Sequence, residues 1–149
     1  MFTQYIHSPL GPVKISATNG GISQVLFTDT METAVPSQLT ALAAEQLQAY
    51  FAGTLQQFSL PLAASGTAFQ QQVWRALCTV PFAATCSYAD IARQIDNKKA
   101  VRAVGAANGR NPIAIIVPCH RVIGANGTLT GYAGGLDKKA WLLKHEQRQ

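Results

Sequence analysis

The 149-residue sequence predicts a two-part fold. Residues 1–65 read as a small α/β unit with a short antiparallel sheet and one helix. Residues 66–149 read as a mainly helical unit built around a winged-helix-like helix-turn-helix. Three observations predict this. Residues 2–27 alternate apolar and polar positions between turn-forming clusters, residues 37–51 and 67–78 repeat apolar positions at three and four, and the charge changes sign between the halves.

The elements follow in order. Phe2–His7 reads as a strand, and Ser8-Pro9-Leu10-Gly11-Pro12 is dense in turn formers. Val13, Ile15 and Ala17 alternate with Lys14 and Ser16, the period of a half-buried strand. Asn19-Gly20 is expected to supply positive φ for a tight turn into a third strand, Ile22–Phe27. Ser37 reads as the N-cap of a helix whose stripe is Leu39, Leu42, Ala43, Leu47, Tyr50 and Phe51, with Gly53 as its stop. Residues 54–66 read as a connection containing a short strand-like Phe58–Leu62. Thr67-x-x-Gln70 is a capping-box pattern opening a helix through Cys78, and Ser87-x-x-Asp90 opens a second helix through Ile95. Asp96-Asn97-Lys98 reads as a turn into a third helix, Lys99–Asn108, completing a helix-turn-helix.

Charged residues are only 13% of the chain, yet the net charge is +5. Residues 1–69 hold one base against three acids, and residues 70–149 hold eleven bases against four. This bias points the second half toward a polyanionic partner, although basic surfaces also serve solubility alone. No run approaches the roughly 18 apolar residues of a membrane span, so no membrane partner is expected. The start lacks the pattern of a secretory signal, and a cytoplasmic location is expected. Three cysteines (Cys78, Cys86, Cys119) form neither a paired disulfide framework nor a zinc cluster, so no metal and no cofactor are expected.

The last helix of the pair is nearly all small: Ala100, Val101, Ala103, Val104, Gly105, Ala106 and Ala107, with Arg102 and Asn108 as its long or polar members. Major-groove readers present Asn, Gln or Arg to base edges. This helix instead suits close approach to the minor groove with weak sequence readout, or a buried core position. The segment Asn111-Pro-Ile-Ala-Ile-Ile-Val-Pro-Cys-His-Arg-Val-Ile123 is expected to place Ile113–Val117 as a buried strand ending on Cys119. His120 beside that cysteine supplies a titratable base and Arg121 a fixed cation, the surroundings of an activated thiol. Most Cys-His dipeptides are accidental, however, because strand neighbours point to opposite faces.

Pro118-Cys119-His120-Arg121-Val122-Ile123 resembles the active-site signature of the O6-alkylguanine-DNA alkyltransferases. Gly66-Thr67-x-Phe69-Gln70-x-x-Val73-Trp74, Ser87-Tyr88-x-Asp90-Ile91-Ala92, Ala103-Val104-Gly105-Ala106-Ala107-Asn108, Asn111-Pro112, Gly131-Tyr132-x-Gly134-Gly135-Leu136 and Trp141-Leu142-Leu143-x-His145-Glu146 extend the resemblance in order. The first sixty-odd residues fit the family only in outline.

The resemblance implies a DNA repair protein that flips O6-alkylguanine, and also O4-alkylthymine, out of duplex DNA. It transfers the alkyl group irreversibly to its own cysteine, acting once per molecule. Cys119 matches the acceptor, His120 the base that deprotonates it through a water, and Glu146 the carboxylate behind that base. Tyr88 matches the tyrosine that donates to the base and presses on the neighbouring phosphate. Arg102 matches the arginine that fills the vacated stack, with Ala103, Ala106 and Asn108 on the DNA-contacting helix. The carbonyls of Cys119 and Val122 are implied to receive the guanine amino group. Gly131–Gly135 closes over the base, where Ala133 offers its N–H and Tyr132 either stacks on the base or packs the loop. Asn111 supports the site, and Cys78 and Cys86 read as packing residues. The partner implied is double-stranded DNA bound through the minor groove, by a monomer. A non-catalytic lesion-binding relative would lack the acceptor cysteine, and a Cys-His hydrolase would not need the DNA-binding half.

Overall fold

The computed structural model describes residues 1–149. The chain forms two compact units, Met1–Ser65 and Gly66–Gln149.

In the first unit, β1 (Phe2–Ser8), β2 (Gly11–Thr18) and β3 (Gly21–Phe27) form an antiparallel sheet in the order β1-β2-β3. The central strand supplies the core: Val13, Ile15 and Ala17 are fully buried. Asn19-Gly20 makes the β2–β3 turn, with Thr18 opposite Gly21, but the positive φ lies at Gly21 and not within the pair. Helix α1 (Gln38–Phe51) starts on a capping box in which Ser37 and Thr40 exchange backbone-to-hydroxyl bonds of 2.8 and 3.1 Å. Its buried stripe is Thr40, Ala43, Ala44, Leu47 and Tyr50, rotated from the expected one, and Leu42 is exposed. On that face the Thr40 hydroxyl lies 3.0 Å from Gln4 Oε1 on β1 and 3.0 Å from Ser37 O. The expected strand at Phe58–Leu62 reduces to one bridge, Leu62 beside Ile22.

The second unit begins with α2 (Ala68–Leu77), capped reciprocally by Thr67 and Gln70. Trp74 is buried and donates its indole N–H to the Ala107 carbonyl at 2.9 Å, fixing α2 to α4. The segment β4 (Cys86–Ser87) leads into α3 (Tyr88–Gln94), whose capping box joins Ser87 and Asp90. The Ser87 backbone and hydroxyl hydrogen bonds hold the Asp90 carboxyl below its usual range. Asp96 takes a left-handed φ of 58° in the turn to α4 (Val101–Gly109). Parallel pairing joins β4 to β5 (Val122–Ile123), and α5 (Leu136–Gln147) closes the unit.

The segment before Cys119 is not a strand. Pro112 and Pro118 remove two backbone donors, and Asn111 rolls the chain between them into a turn. Its amide donates to Ile113 O at 3.2 Å and Val117 O at 2.8 Å, while its oxygen accepts from Ile113 N at 3.0 Å. Ile115 is forced to φ 72°, a region costly for a β-branched residue. Cys119 therefore opens a single 3₁₀ turn, Cys119–Arg121.

Candidate active site

The 3₁₀ turn buries residues that a strand would have pointed to opposite faces, and the Lys139 charge reaches both Cys119 and His120. Cys119 and His120 are both buried, and His120 is fully so. His120 Nε2 lies 2.7 Å from Glu146 Oε2 on α5. An ionised carboxylate only accepts, so Nε2 carries the proton and Nδ1 is left as the ring's acceptor. No protein group bonds that buried Nδ1. Burial pushes the His120 pKa down, against the Glu146 hydrogen bond and charge that raise it.

The Cys119 thiol is pushed up, chiefly by burial; the Asn111 side chain and the Lys139 charge pull it back. The resting pair is thus a neutral thiol and a neutral imidazole. Such a pair forms thiolate by proton transfer at the moment of reaction and does not store it.

Arg121 does not serve the thiol as the sequence suggested. Its Nε and Nη2 donate to the two oxygens of Glu146 at 2.9 and 3.1 Å, and its Nη1 donates to Val80 O at 2.8 Å. The cation acting on Cys119 is Lys139, which the sequence reading missed. Lys139 is fully buried, and its ammonium donates to Val122 O and Thr130 O, each at 2.6 Å. Burial pushes its pKa down. The signal for Lys139 was its helical register: it stands three and seven residues before Leu142 and Glu146 on one face of α5.

The expected pocket residues divide. The Val122 carbonyl already takes Lys139, and the Cys119 carbonyl takes Asn108 Nδ2 at 3.4 Å. Asn108, expected on the DNA face, is buried and donates to the Cys119 turn instead, because it lies with Val104 and Ala107 on the inner face of α4. Tyr88 O–H meets Thr130 at the hydroxyl (3.0 Å) and carbonyl (3.3 Å). The Tyr132 phenol sits with the site: burial raises its pKa, and the charges of Cys119 and Glu146 add to the shift. Ala133 is exposed on the same loop.

Helix α4 resolves its two sequence readings by having two faces. Val104 and Ala107 are buried, whereas Arg102, Ala103 and Ala106 are exposed. The outer face therefore carries one arginine beside Val101, Ala103 and Ala106. Cys78, expected to pack, is exposed at the end of α2. No three His, Cys, Asp or Glu side chains converge into a set suited to a metal ion, and no helix is long and apolar enough to cross a membrane.

Comparison with known proteins decides the family. The family described as "6-O-methylguanine DNA methyltransferase, DNA binding domain" matches residues 68–148, and its "ribonuclease-like domain" matches residues 1–64. The chain belongs to this family. The methylated-DNA–protein-cysteine methyltransferase of Methanosarcina mazei is 48% identical over 99% of this chain and 98% of its own length. The protein of that name from Mycobacterium tuberculosis is 48% identical over 95% of this chain and 90% of its own. Among solved structures, Mycobacterium tuberculosis OGT in complex with DNA superposes with a TM-score of 0.91 at 46% identity, covering 99% of this chain and 94% of that one. The first sixty-odd residues, a match only in outline by sequence motif, thus belong to the family as fully as the second unit does.

Proposed function

We propose that this chain is a single-turnover DNA repair methyltransferase that moves the alkyl group of O6-alkylguanine, and of O4-alkylthymine, onto Cys119. The observation that carries the reading is the buried Cys119-His120-Glu146 series, with His120 Nε2 held by Glu146 and Nδ1 left to accept. His120 takes the thiol proton through a water. The thiolate attacks the alkyl carbon, an S–C bond forms, and the C–O6 bond breaks. The guanine leaves with its negative charge met by a proton or hydrogen bond from Tyr88. The product is a thioether with no easy hydrolytic exit, so each molecule acts once. Electrostatic neutralisation of the leaving group suits a site of low dielectric.

The target atom lies inside the base stack, so the nucleotide must be flipped. Arg102 fills the vacated space, and the exposed Ala103 and Ala106 let the backbone of α4 approach the minor groove closely. The base is held by the Cys119 and Val122 carbonyls and the Ala133 N–H, with Tyr132 alongside. The protein works as a monomer.

The deciding experiment incubates the protein with duplex DNA containing O6-methylguanine, digests it, and weighs the peptide carrying Cys119. One methyl group is expected on that peptide, in an amount equal to the protein and no more. Lesion binding without methyl gain would overturn the reading, and repeated turnover would overturn the single-use mechanism. Arg102→Ala should weaken repair of duplex DNA far more than reaction with free O6-benzylguanine; equal losses would exclude a flipping role.

A further inference from the structure

Arg121 is buried, permanently charged, and turned away from the thiol. Its cradle is specific. Val80 O accepts from Nη1, the Phe82 ring lies under the guanidinium with its centroid 5.6 Å away, and both Glu146 oxygens accept from Nε and Nη2. The same carboxylate also accepts the Ala83 N–H at 3.3 Å, in a turn where Ala83 has a left-handed φ of 66°. Glu146 Oε2 is thus shared between His120 at 2.7 Å and Arg121 at 3.1 Å.

A planar fork that meets both oxygens fixes the plane of a carboxylate, which a lone ammonium cannot do. An imidazole facing an unshared carboxylate in a buried site would be drawn toward imidazolium. Resting on the alkyl-transfer reading above, we propose that Arg121 is a positioning residue for the reaction: it orients Glu146 on His120 Nε2 and divides the carboxylate's charge, so that the ring rests as a free base with its unbonded Nδ1 left to take a proton. The charges acting on His120 are Glu146 and Lys139 from α5 and Arg121 from its own turn. Glu146 favours the protonated ring, and both cations oppose it. Losing Arg121 therefore shifts the balance toward imidazolium, a form with no lone pair for the thiol proton.

The test measures single-turnover benzyl transfer from free O6-benzylguanine as a function of pH. Wild type must first label Cys119; if it does not, the alkyl-transfer reading fails and this inference is not the cause. In Arg121→Met, with fold checked by near-UV circular dichroism, the acidic limb of the rate profile should move up by about one pH unit. Well below the limb that amounts to roughly a tenfold loss relative to wild type, with no such loss on the plateau. Arg121→Lys retains the charge but not the fork and should move the limb by less. A uniform rate loss with the limb unmoved would overturn the proposal and leave Arg121 a purely structural residue. Should either variant fail to fold, ¹⁵N-histidine NMR of the wild-type protein is decisive: His120 should show a protonated Nε2 and a bare Nδ1 at about pH 6.5. An imidazolium there would overturn the proposal.

Discussion

Replacing Glu146 by Gln changes one charge and almost no volume. The native carboxylate accepts from Ala83 N and Arg121 Nε at Oε1, and from His120 Nε2 and Arg121 Nη2 at Oε2. An amide oxygen can replace Oε1, but the amide NH₂ then faces two donors at the Oε2 position. His120 can relieve its part only by moving its proton to Nδ1, so that Nε2 accepts. That tautomer removes the acceptor the thiol proton needs. Arg121 is meanwhile left as a buried cation without its counter-ion. Breaking a buried pair in this way costs about 3–5 kcal/mol, and loss of a positioned base costs about 10²–10⁴-fold in rate. Urea unfolding should show the first cost, and the rate of benzyl transfer to Cys119 at about pH 7.5 the second. A variant within about 1 kcal/mol of wild type and within about threefold in rate would refute the geometry, because neither the ion pair nor the tautomer would then matter.

Three further outcomes are expected. At Gly66 an added Cβ would lie 2.5 Å from the Trp74 ring and 2.9 Å from Gln70 Oε1; Gly66→Ala should therefore destabilise by about 1–3 kcal/mol, seen as a lower Tm, and an unchanged Tm would show that the α2 cap yields freely. Asn111→Ala removes the clamp that holds Ile115 at positive φ, so benzyl transfer should slow by at least about tenfold in a folded protein as the Cys119 turn relaxes; wild-type rates would contradict the clamp. His120 has a folded pKa below its unfolded value of about 6.5. The unfolded chain then binds the extra proton first as pH falls, and His120 contributes a stability loss below about pH 6.5 of at most ~1.4 kcal/mol per pH unit. Urea midpoints for wild type and His120→Gln should stay a constant distance apart above that pH and approach one another below it, and a separation unchanged through the acidic range would contradict a neutral buried ring.

Much of this architecture is local and was legible in the chain. The Thr67/Gln70 and Ser87/Asp90 capping boxes form between residues three apart, so their pattern survives any tertiary context. The alternation of Val13, Ile15 and Ala17 marked the central strand because a pleated strand buries every second side chain. Cys119 and its neighbour His120 were visible as a motif, and Glu146 entered only through the resemblance of residues 141–146 to the family.

Only the tertiary structure decided the rest. Ile113–Val117 has the composition of a strand, but a side chain two residues upstream, Asn111, satisfies its backbone and folds it into a turn. Alternation would place one of Cys119 and His120 outward, whereas the 3₁₀ turn buries both, within reach of the Lys139 charge. Asn108, expected at the DNA-contacting surface, lies inward, because the Cys119 carbonyl it bonds comes from another segment. Arg121 departs from its expected place for the same reason, and Lys139, which carried no expectation, stands there instead. Adjacency in sequence put Arg121 beside the thiol, yet packing of α5 gives Arg121 to Glu146 and brings Lys139 into the field of Cys119. Hydrogen bonds between near neighbours are fixed by the chain's own geometry; the field at a buried thiol is a sum over segments that only folding brings together.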